Sequence, residues 1–382
     1  MIVLLVLVMI TIVSCTTTDS SDREKLEALF KRELPIPEQI QSASFSGGLL
    51  KLNVNAAEPP NYIRSQRVQG ISFSIGSQSN VNCYVQDITL PGSNISNILN
   101  RIRSAEQVNA LLEPVAEVKV VDDKPIAMVA TYYKTNDGRV GDFKMAHLML
   151  QDHSVNCTHD EPGFRATFKD LMIAMASQTQ EKLNHYKIYD KRVYTVATSG
   201  VNIGFISEYH AKSSDEIKQV SYQTLLIPSS ESTIKTFDTQ TINHLNSNGS
   251  ISKNLSLGYL NEKPNYEMSF EELSTNRYQI QGFFGKERIN RVVKTIKPAI
   301  PEEQQFKQNL KNNLSQFEVI SYLPNFTPRD FLLSKVEMKP GLREGSMTTQ
   351  DQKVEIFLDK NFELSKQIVV QGETTFVVTR VL

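Results

Sequence analysis

Alternating apolar and polar residues, the pattern of a half-buried β-strand, recur through the first half of the chain. They predict strands in Ser42–Asn55 and in Gly70–Gln86. Glu117–Val121 and Pro125–Tyr133 predict a hairpin whose turn is Asp122-Asp123-Lys124. Antiparallel pairing is therefore expected early in the chain.

A second hairpin is predicted through Asn136-Asp137-Gly138. The Asp-Gly pair supplies the backbone conformations that a tight hairpin turn needs. Val140–Leu150 is the return strand.

Two segments of the first half show the spacing of an amphipathic helix instead. The first is Ser93–Leu112, in which Ser104–Gln107 has the composition of a capping box that restarts the helix. The second begins at Pro162, because proline is favoured in a first helical turn. Their apolar stripes are Ile95, Ile98, Leu99 and Ile102 in the first, and Phe164, Phe168, Leu171 and Met175 in the second.

From Tyr186 onward the pattern changes to longer strands with few helix signals. Pro301 begins the helix predicted there, near residues 301–315, with Phe306, Leu310 and Leu314 on its apolar side. The alternating segments include Val201–Phe205, Val220–Leu226, Tyr278–Phe284, Val354–Leu358, Ile368–Val370 and Phe376–Val381.

These patterns predict an α+β, β-rich fold of mainly antiparallel sheets with a few amphipathic helices. A chain of 382 residues is long enough for two domains. We expect an α+β domain in residues 43–184 and a β-rich domain in residues 186–382.

The N-terminus carries a strongly apolar run, from Ile2 to Val13. The run holds about a dozen residues, whereas a membrane-spanning helix needs about 20, so it is typical of a signal peptide. It ends in Ile12-Val13-Ser14-Cys15, with an aliphatic residue three positions before the cysteine and a small residue directly before it. This ending resembles the lipobox of bacterial lipoproteins.

The resemblance implies a signal peptide in residues 1–14 and a lipid-modified Cys15 as the first residue of the mature chain. Two or three acyl chains anchor a protein stably, whereas a single chain binds only marginally. The membrane is then a partner through Cys15. The alternative is a cleavable signal peptide followed by an incidental cysteine.

Residues 15–42 are expected to form a tether with one short helix, Ser21–Leu34, which Pro35 ends. Among such lipoproteins, aspartate directly after the cysteine commonly retains the protein in the inner membrane. Thr16 stands at that position. The resemblance therefore favours the outer membrane, with the protein facing the periplasm.

The balance of charged residues bears on which classes of partner the protein could attract electrostatically. Lysine and arginine together number 41 and aspartate and glutamate 42, which gives a net charge of −1. Without a basic block, neither nucleic acid nor an anionic membrane surface is an evident electrostatic partner. An envelope protein is the partner class that the predicted location favours.

The cysteine count, together with the predicted envelope location, predicts a disulfide. Of the three, Cys15 is assigned to the anchor, which leaves Cys83 and Cys157 as an even pair. Beyond the inner membrane the surroundings are oxidising, so the pair predicts a disulfide. Two buried thiols are the alternative.

Four of the six histidines lie between residues 147 and 185, and they are the candidate metal ligands. His147 and His153 are six residues apart, about 20 Å along a strand, so they cannot share a metal unless the chain folds back. His159 lies two residues after Cys157, so a Cys/His nucleophile is a further hypothesis. A disulfide at Cys157 would remove the thiol that such a nucleophile needs. His185 is the fourth of the group.

The motifs of the common enzyme classes are absent from the sequence. It holds no His-Glu-x-x-His pair, no Gly-x-Ser-x-Gly elbow and no phosphate-binding glycine loop. We therefore expect a non-catalytic binding or accessory module of the envelope, without a cofactor. The alternatives are a hydrolase or metal-dependent enzyme built on His147–Glu161 and a carrier of an apolar ligand.

Overall fold

The computed structural model describes residues 31–65, 69–76, 79–105, 107–183, 186–214, 216–229, 233–350 and 352–382. The predicted signal peptide, Cys15, the tether up to residue 30 and His185 lie outside these residues. Two compact units divide the chain. We call the described residues of 11–185 and 224–237 the N-terminal unit, and those of 186–223 and 238–382 the C-terminal unit.

The strands between residues 31 and 183 form two antiparallel sheets. They are β1 Ile40–Phe45, β2 Leu50–Asn55, β3 Asn61–Arg64, β4 Gln69–Ser74, β5 Asn80–Asp87, β6 Val108–Val121, β7 Lys124–Thr135, β8 Val140–Met149, β9 His153–His159 and β10 Gln180–Glu181. Among the described residues, the larger sheet has seven strands in the order β3-β4-β5-β9-β8-β7-β6, and the smaller has the order β1-β2-β10. Both predicted hairpins are confirmed, as β6–β7 and β7–β8.

Two helices pack on opposite faces of the seven-stranded sheet. Helix α1 is Pro91–Arg103 and helix α2 is Arg165–Gln178. The predicted apolar stripe of α2 is confirmed as buried, and Met172 beside it is buried too. The cluster around α2 includes Leu52 of β2 and Leu148 of β8, so the helix is packed by both sheets. Burial on both sides explains why α2 carries apolar residues outside a single stripe.

The segment directly before β1 caps helix α2 from far away in the sequence. The Glu33 carboxylate accepts hydrogen bonds from the backbone N–H groups of Ala166 and Thr167, at 2.9 and 2.8 Å. The Arg32 carbonyl accepts a bond from Phe164 N at 2.7 Å. A carboxylate at a helix N-terminus satisfies free N–H groups and complements the helix dipole. Residues 31–34 are not helical, so the predicted helix Ser21–Leu34 is wrong at this end.

Two other predicted boundaries are also wrong. Helix α1 stops at Arg103 instead of Leu112, because residues 108–121 pair with β7 as a strand. Tertiary pairing overrides the local helical spacing there. The predicted strand Ser42–Asn55 is a hairpin, which turns at Gly47 and Gly48 with φ of +65° and +90°, conformations that glycine adopts without strain.

The predicted disulfide is confirmed. Cys83 of β5 and Cys157 of β9 lie directly opposite each other, with their Cα atoms 4.0 Å apart. Both side chains are fully buried in the cluster around α2, and Cys157 Sγ lies 4.0 Å from Met175 Sδ. The disulfide therefore joins two neighbouring central strands beneath the helix.

The strands after residue 186 form one sheet. They are β11 Lys187–Thr198, β12 Val201–Lys212, β13 Ile217–Ser229, β14 Thr233–Leu245, β15 Ile251–Leu260, β16 Lys263–Ser274, β17 Arg277–Phe284, β18 Glu287–Lys294, β19 Gln316–Ser321, β20 Leu332–Met338, β21 Glu344–Thr349, β22 Gln352–Leu358, β23 Leu364–Gln371 and β24 Thr374–Arg380. Among the described residues it has 14 strands, running from β18 back to β11 and then from β24 back to β19. The prediction of a β-rich fold with mainly antiparallel sheets is confirmed.

Helix α3 spans Glu302–Lys311, shorter than the predicted 301–315, and Leu314 is partly exposed. An ion network holds the helix to the sheet. Buried Arg192 of β11 pairs with Glu303 of α3, and Lys307 of α3 reaches Glu363 at 2.8 Å. These pairs fix the position of the first turn of α3, which is part of the site described below.

Within the described residues, no helix is both long and apolar enough to cross a bilayer.

Removing the disulfide should destabilise the protein. A cross-link that closes a loop of 74 residues restricts the unfolded chain, and loss of a native disulfide typically costs about 2–5 kcal/mol. We expect the Cys83→Ala/Cys157→Ala double variant to unfold at lower denaturant concentration than the wild type. The wild type in reductant should behave like the variant. Equal midpoints for the variant and the oxidised wild type would contradict this prediction.

Removing the Glu33 carboxylate should weaken the start of α2. We expect Glu33→Ala to cost about 1–2 kcal/mol of unfolding free energy, the usual effect of a lost cap. Glu33→Gln should cost less, because it keeps one acceptor oxygen. Glu38→Ala, an exposed neighbour, serves as the matched control. Faster hydrogen exchange of the Ala166 and Thr167 amides in Glu33→Ala, but not in the control, would show that the loss of stability arises at the start of α2.

Candidate functional site

The histidines that the sequence analysis named as candidate ligands are separated by the alternation of side chains along the strands. On β9, His153 and His159 point to one face of the sheet, about 20 Å apart along the strand. His147 of β8 is paired with Asn156, so it belongs to the opposite face. Among the described residues, no three His, Cys, Asp or Glu side chains group as metal ligands.

Structural hydrogen bonds occupy His147 and His153. His147 lies 3.1 Å from both Asn94 Nδ2 of α1 and the Thr89 carbonyl, through its Nδ1 and Nε2 atoms respectively. Burial lowers the pKa of His147 from 6.5 to about 4, so the imidazole is neutral at pH 7. His153 is bonded to Glu181 at 2.7 Å and to Ser46 at 2.8 Å. Both histidines thus tie loops or helices to the sheet.

His159 has a neighbour that the sequence analysis missed. Ser79 Oγ lies 3.1 Å from His159 Nε2, the geometry of a nucleophile and its base. The Glu161 carboxylate accepts a bond from Ser79 N, and a pocket of about 310 Å³ opens beside His159. Burial foremost, and then the Lys144 charge, lower the pKa of His159 to about 4. A general base works best with a pKa near the working pH, so this pair is poorly suited to catalysis.

The C-terminal unit holds a second and better enclosed cavity, which we call the cleft. Its floor is formed by strands β13–β16, one wall by residues 299–302, and its cover by residues 322–331, which we call the cover loop. The cleft volume is about 90 Å³. The wall is fixed to the sheet, since Ala299 N donates to Tyr278 Oη at 2.8 Å.

A row of buried amides crosses the floor of the cleft. Asn254 Nδ2 of β15 donates to Asn243 Oδ1 of β14 at 2.8 Å. Asn243 Nδ2 in turn donates to Gln219 Oε1 of β13 at 3.0 Å. Each amide carries more donors and acceptors than this row uses, so the row is a polar surface beneath the cavity.

Aromatic rings of β16 and of the cover loop form another part of the lining. Phe331 of the cover loop has its ring centre 5.0 Å from that of Phe270 and 5.5 Å from that of Tyr322. Tyr322 Oη donates to the Pro328 carbonyl at 3.1 Å, which closes the cover loop on itself. Tyr266 also lines the cleft, and glycine at position 258, opposite it in the sheet, leaves room for its ring.

The cleft carries little charge. Among the described residues that line it, Glu302 is the one charged side chain, and no lysine, arginine or histidine is present. Burial raises the pKa values of Tyr266 and Tyr322 above 10, so both hydroxyls stay protonated. The surface therefore offers both neutral hydrogen-bonding groups and aromatic rings.

The sequence did not predict the cleft, because its polar residues lie far apart in the chain. Gln219 and Asn243 are separated by 24 residues and come together only through strand pairing. Asparagine and glutamine inside otherwise apolar strands were the available signal, because asparagine in particular is depleted in strands.

Comparison with known proteins gives no family. No protein-family model matches the chain, and no curated protein matches it. Among solved structures, the chain is similar to the crystal structure of a beta-barrel-like protein of domain of unknown function DUF1849 from Brucella abortus, at 8% sequence identity and a TM-score of 0.39. That match covers 52% of this chain and 98% of the other. So remote a likeness carries no argument about function.

The buried histidines should make the N-terminal unit sensitive to acid. His147 stays neutral in the fold down to about pH 4, whereas in the unfolded chain it takes up a proton near pH 6.5. Its contribution to stability is thus complete above pH 6.5 and is lost as the pH falls towards 4.

Replacing His147 should reduce this acid sensitivity. Between pH 6.5 and about pH 4, protonation of His147 in the unfolded chain lowers the free energy of unfolding by about 1.4 kcal/mol for each pH unit. We expect urea unfolding between pH 6.5 and 4.5 to show a shallower loss for His147→Asn than for the wild type. Equal slopes, or a His147 ring proton that titrates near pH 6.5 by NMR, would contradict this prediction.

Proposed function

We propose that this chain is a lipid-anchored lipoprotein of the bacterial envelope, in which the C-terminal unit binds a small ligand without transforming it. The observation that carries the binding role is the cleft, with its row of buried amides and its aromatic cover. Such convergence of a few polar groups in an otherwise enclosed apolar pocket is typical of ligand sites.

The envelope location is supported by two separate features. The ending Ile12-Val13-Ser14-Cys15 has the lipobox pattern, and Cys15 is the residue that would carry the lipid. The Cys83–Cys157 disulfide suits an oxidising compartment, because cytosolic proteins rarely keep such bonds. In this proposal the protein is held on the outer membrane and faces the periplasm.

The proposal treats the chain as two domains, residues 43–184 and residues 186–382. The disulfide and the Glu33 cap stabilise the first, which follows the tether and carries no role in the binding itself. The second holds the cleft. An envelope protein that delivers or receives the ligand is the partner we expect besides the membrane.

The enzyme alternative is less well supported. His147, His153 and His159 lie on different faces or far apart, and Cys157 is committed to the disulfide. The Ser79–His159 pair has a base whose pKa lies far below neutrality. The apolar carrier is also less well supported, because a row of buried amides crosses the floor of the cleft.

The lipid anchor can be tested by fractionation. Cys15→Ala removes the acceptor of the acyl chains, so we expect the protein to move from the membrane fraction to the soluble fraction, and its mass to lose the lipid. Thr16→Ala is the matched control and should stay in the membrane fraction. Continued retention of Cys15→Ala after a high-salt wash would refute the anchor.

A further inference from the structure

We propose that the cleft binds a neutral polyhydroxyl compound. This inference rests on the proposed binding role and adds the chemical class of the ligand.

The charge of the lining excludes anions as the preferred ligand. Glu302 is the charged side chain there, and the described lining contains no basic group to pair with a phosphate or carboxylate. Burying an unpaired anion beside a carboxylate would be costly. A neutral ligand avoids this cost.

Atoms without a partner supply the recognition. In the part of the chain that the structure describes, buried Gln223 Nε2, Ser321 Oγ and Asn325 Oδ1 have no hydrogen-bond partner, and all three residues line the cleft. Gln223 is only 7% exposed. A buried polar atom left unpaired is destabilising, so a ligand that pairs with these atoms recovers that free energy.

The mixture of donors and acceptors favours hydroxyl groups. Gln223 Nε2 is a donor and Asn325 Oδ1 is an acceptor, whereas Ser321 Oγ can be either. A hydroxyl group both accepts and donates, so adjacent hydroxyls on one ring can match all three atoms. An amide fixes its donor and its acceptor on separate atoms and matches such a set less readily.

The aromatic part of the lining agrees with this class. Tyr322 and Phe331 would contact the C–H face of the ring, while the amides contact its hydroxyls.

The test uses the full-length lipidated protein in detergent, followed by thermal melting and ligand-observed NMR. The probes are D-glucose, D-galactose and myo-inositol, with glucose 6-phosphate as the anionic counterpart and tetramethylammonium as a cation. We expect at least one neutral probe to bind and to raise the melting temperature. Glucose 6-phosphate should bind at least about tenfold more weakly than the best neutral probe.

Variants connect the binding to the cleft. Ser321→Ala and Asn325→Ala should each weaken binding roughly 3- to 10-fold, the usual effect of one hydrogen bond. Gln223→Leu should also weaken binding, yet melt at or above the wild-type temperature without ligand, because it removes an unpaired buried amide. Gln281→Ala, an exposed residue of the same sheet, is the matched control and should bind like the wild type.

Three results would overturn the inference: no binding of any neutral probe, tighter binding of the charged probes, or unchanged affinity in all three cleft variants. Each is distinguishable from failure of the proposed function. An anchored protein that binds tetramethylammonium in the cleft would keep the binding role and lose the polyhydroxyl ligand. Release of the wild type from membranes would affect the anchor alone.

Discussion

The antiparallel pairing of β5 with β9 is the constraint on which the N-terminal unit depends. It sets Cys83 opposite Cys157, so the disulfide forms between adjacent strands. Helix α2 packs over that bond, and the chain before β1 caps α2 through Glu33. The register of these two strands therefore determines the position of α2 and of the segment before β1 that caps it.

The same register decides what the histidines do. Because successive residues of a strand face opposite ways, the odd positions of β9 lie under α2 while Asn156 lies under α1. His147, paired with Asn156, is consequently kept from His159 by the thickness of the sheet. A cluster of histidines in sequence becomes a set of separate structural contacts.

Many of the strands and all three helices of the described chain could be predicted from periodicity, because one face of each meets a core. The end of helix α1 and the start of β6 could not be predicted. The helical spacing of residues 93–112 continues past Val108, where the chain pairs with β7 at the edge of the sheet. The Cys83–Cys157 disulfide could be predicted, because two cysteines remain besides Cys15 and the predicted compartment is oxidising. The cleft could not be predicted, because the amides of Gln219, Asn243 and Asn254 acquire their neighbours only from strand register.

One contact of helix α3 has a consequence for the exposed edge of the 14-stranded sheet. Gln305 donates to the Ile320 carbonyl and accepts from Ile320 N, at 2.6 and 2.9 Å, so its side-chain amide takes the place of a neighbouring strand. Strand β19 is the last in its sheet, and the open edge of a sheet is a template for pairing with another molecule. At Ile320 those backbone groups are already taken. A second molecule thus meets a blocked edge there, which hinders strand-by-strand polymerisation.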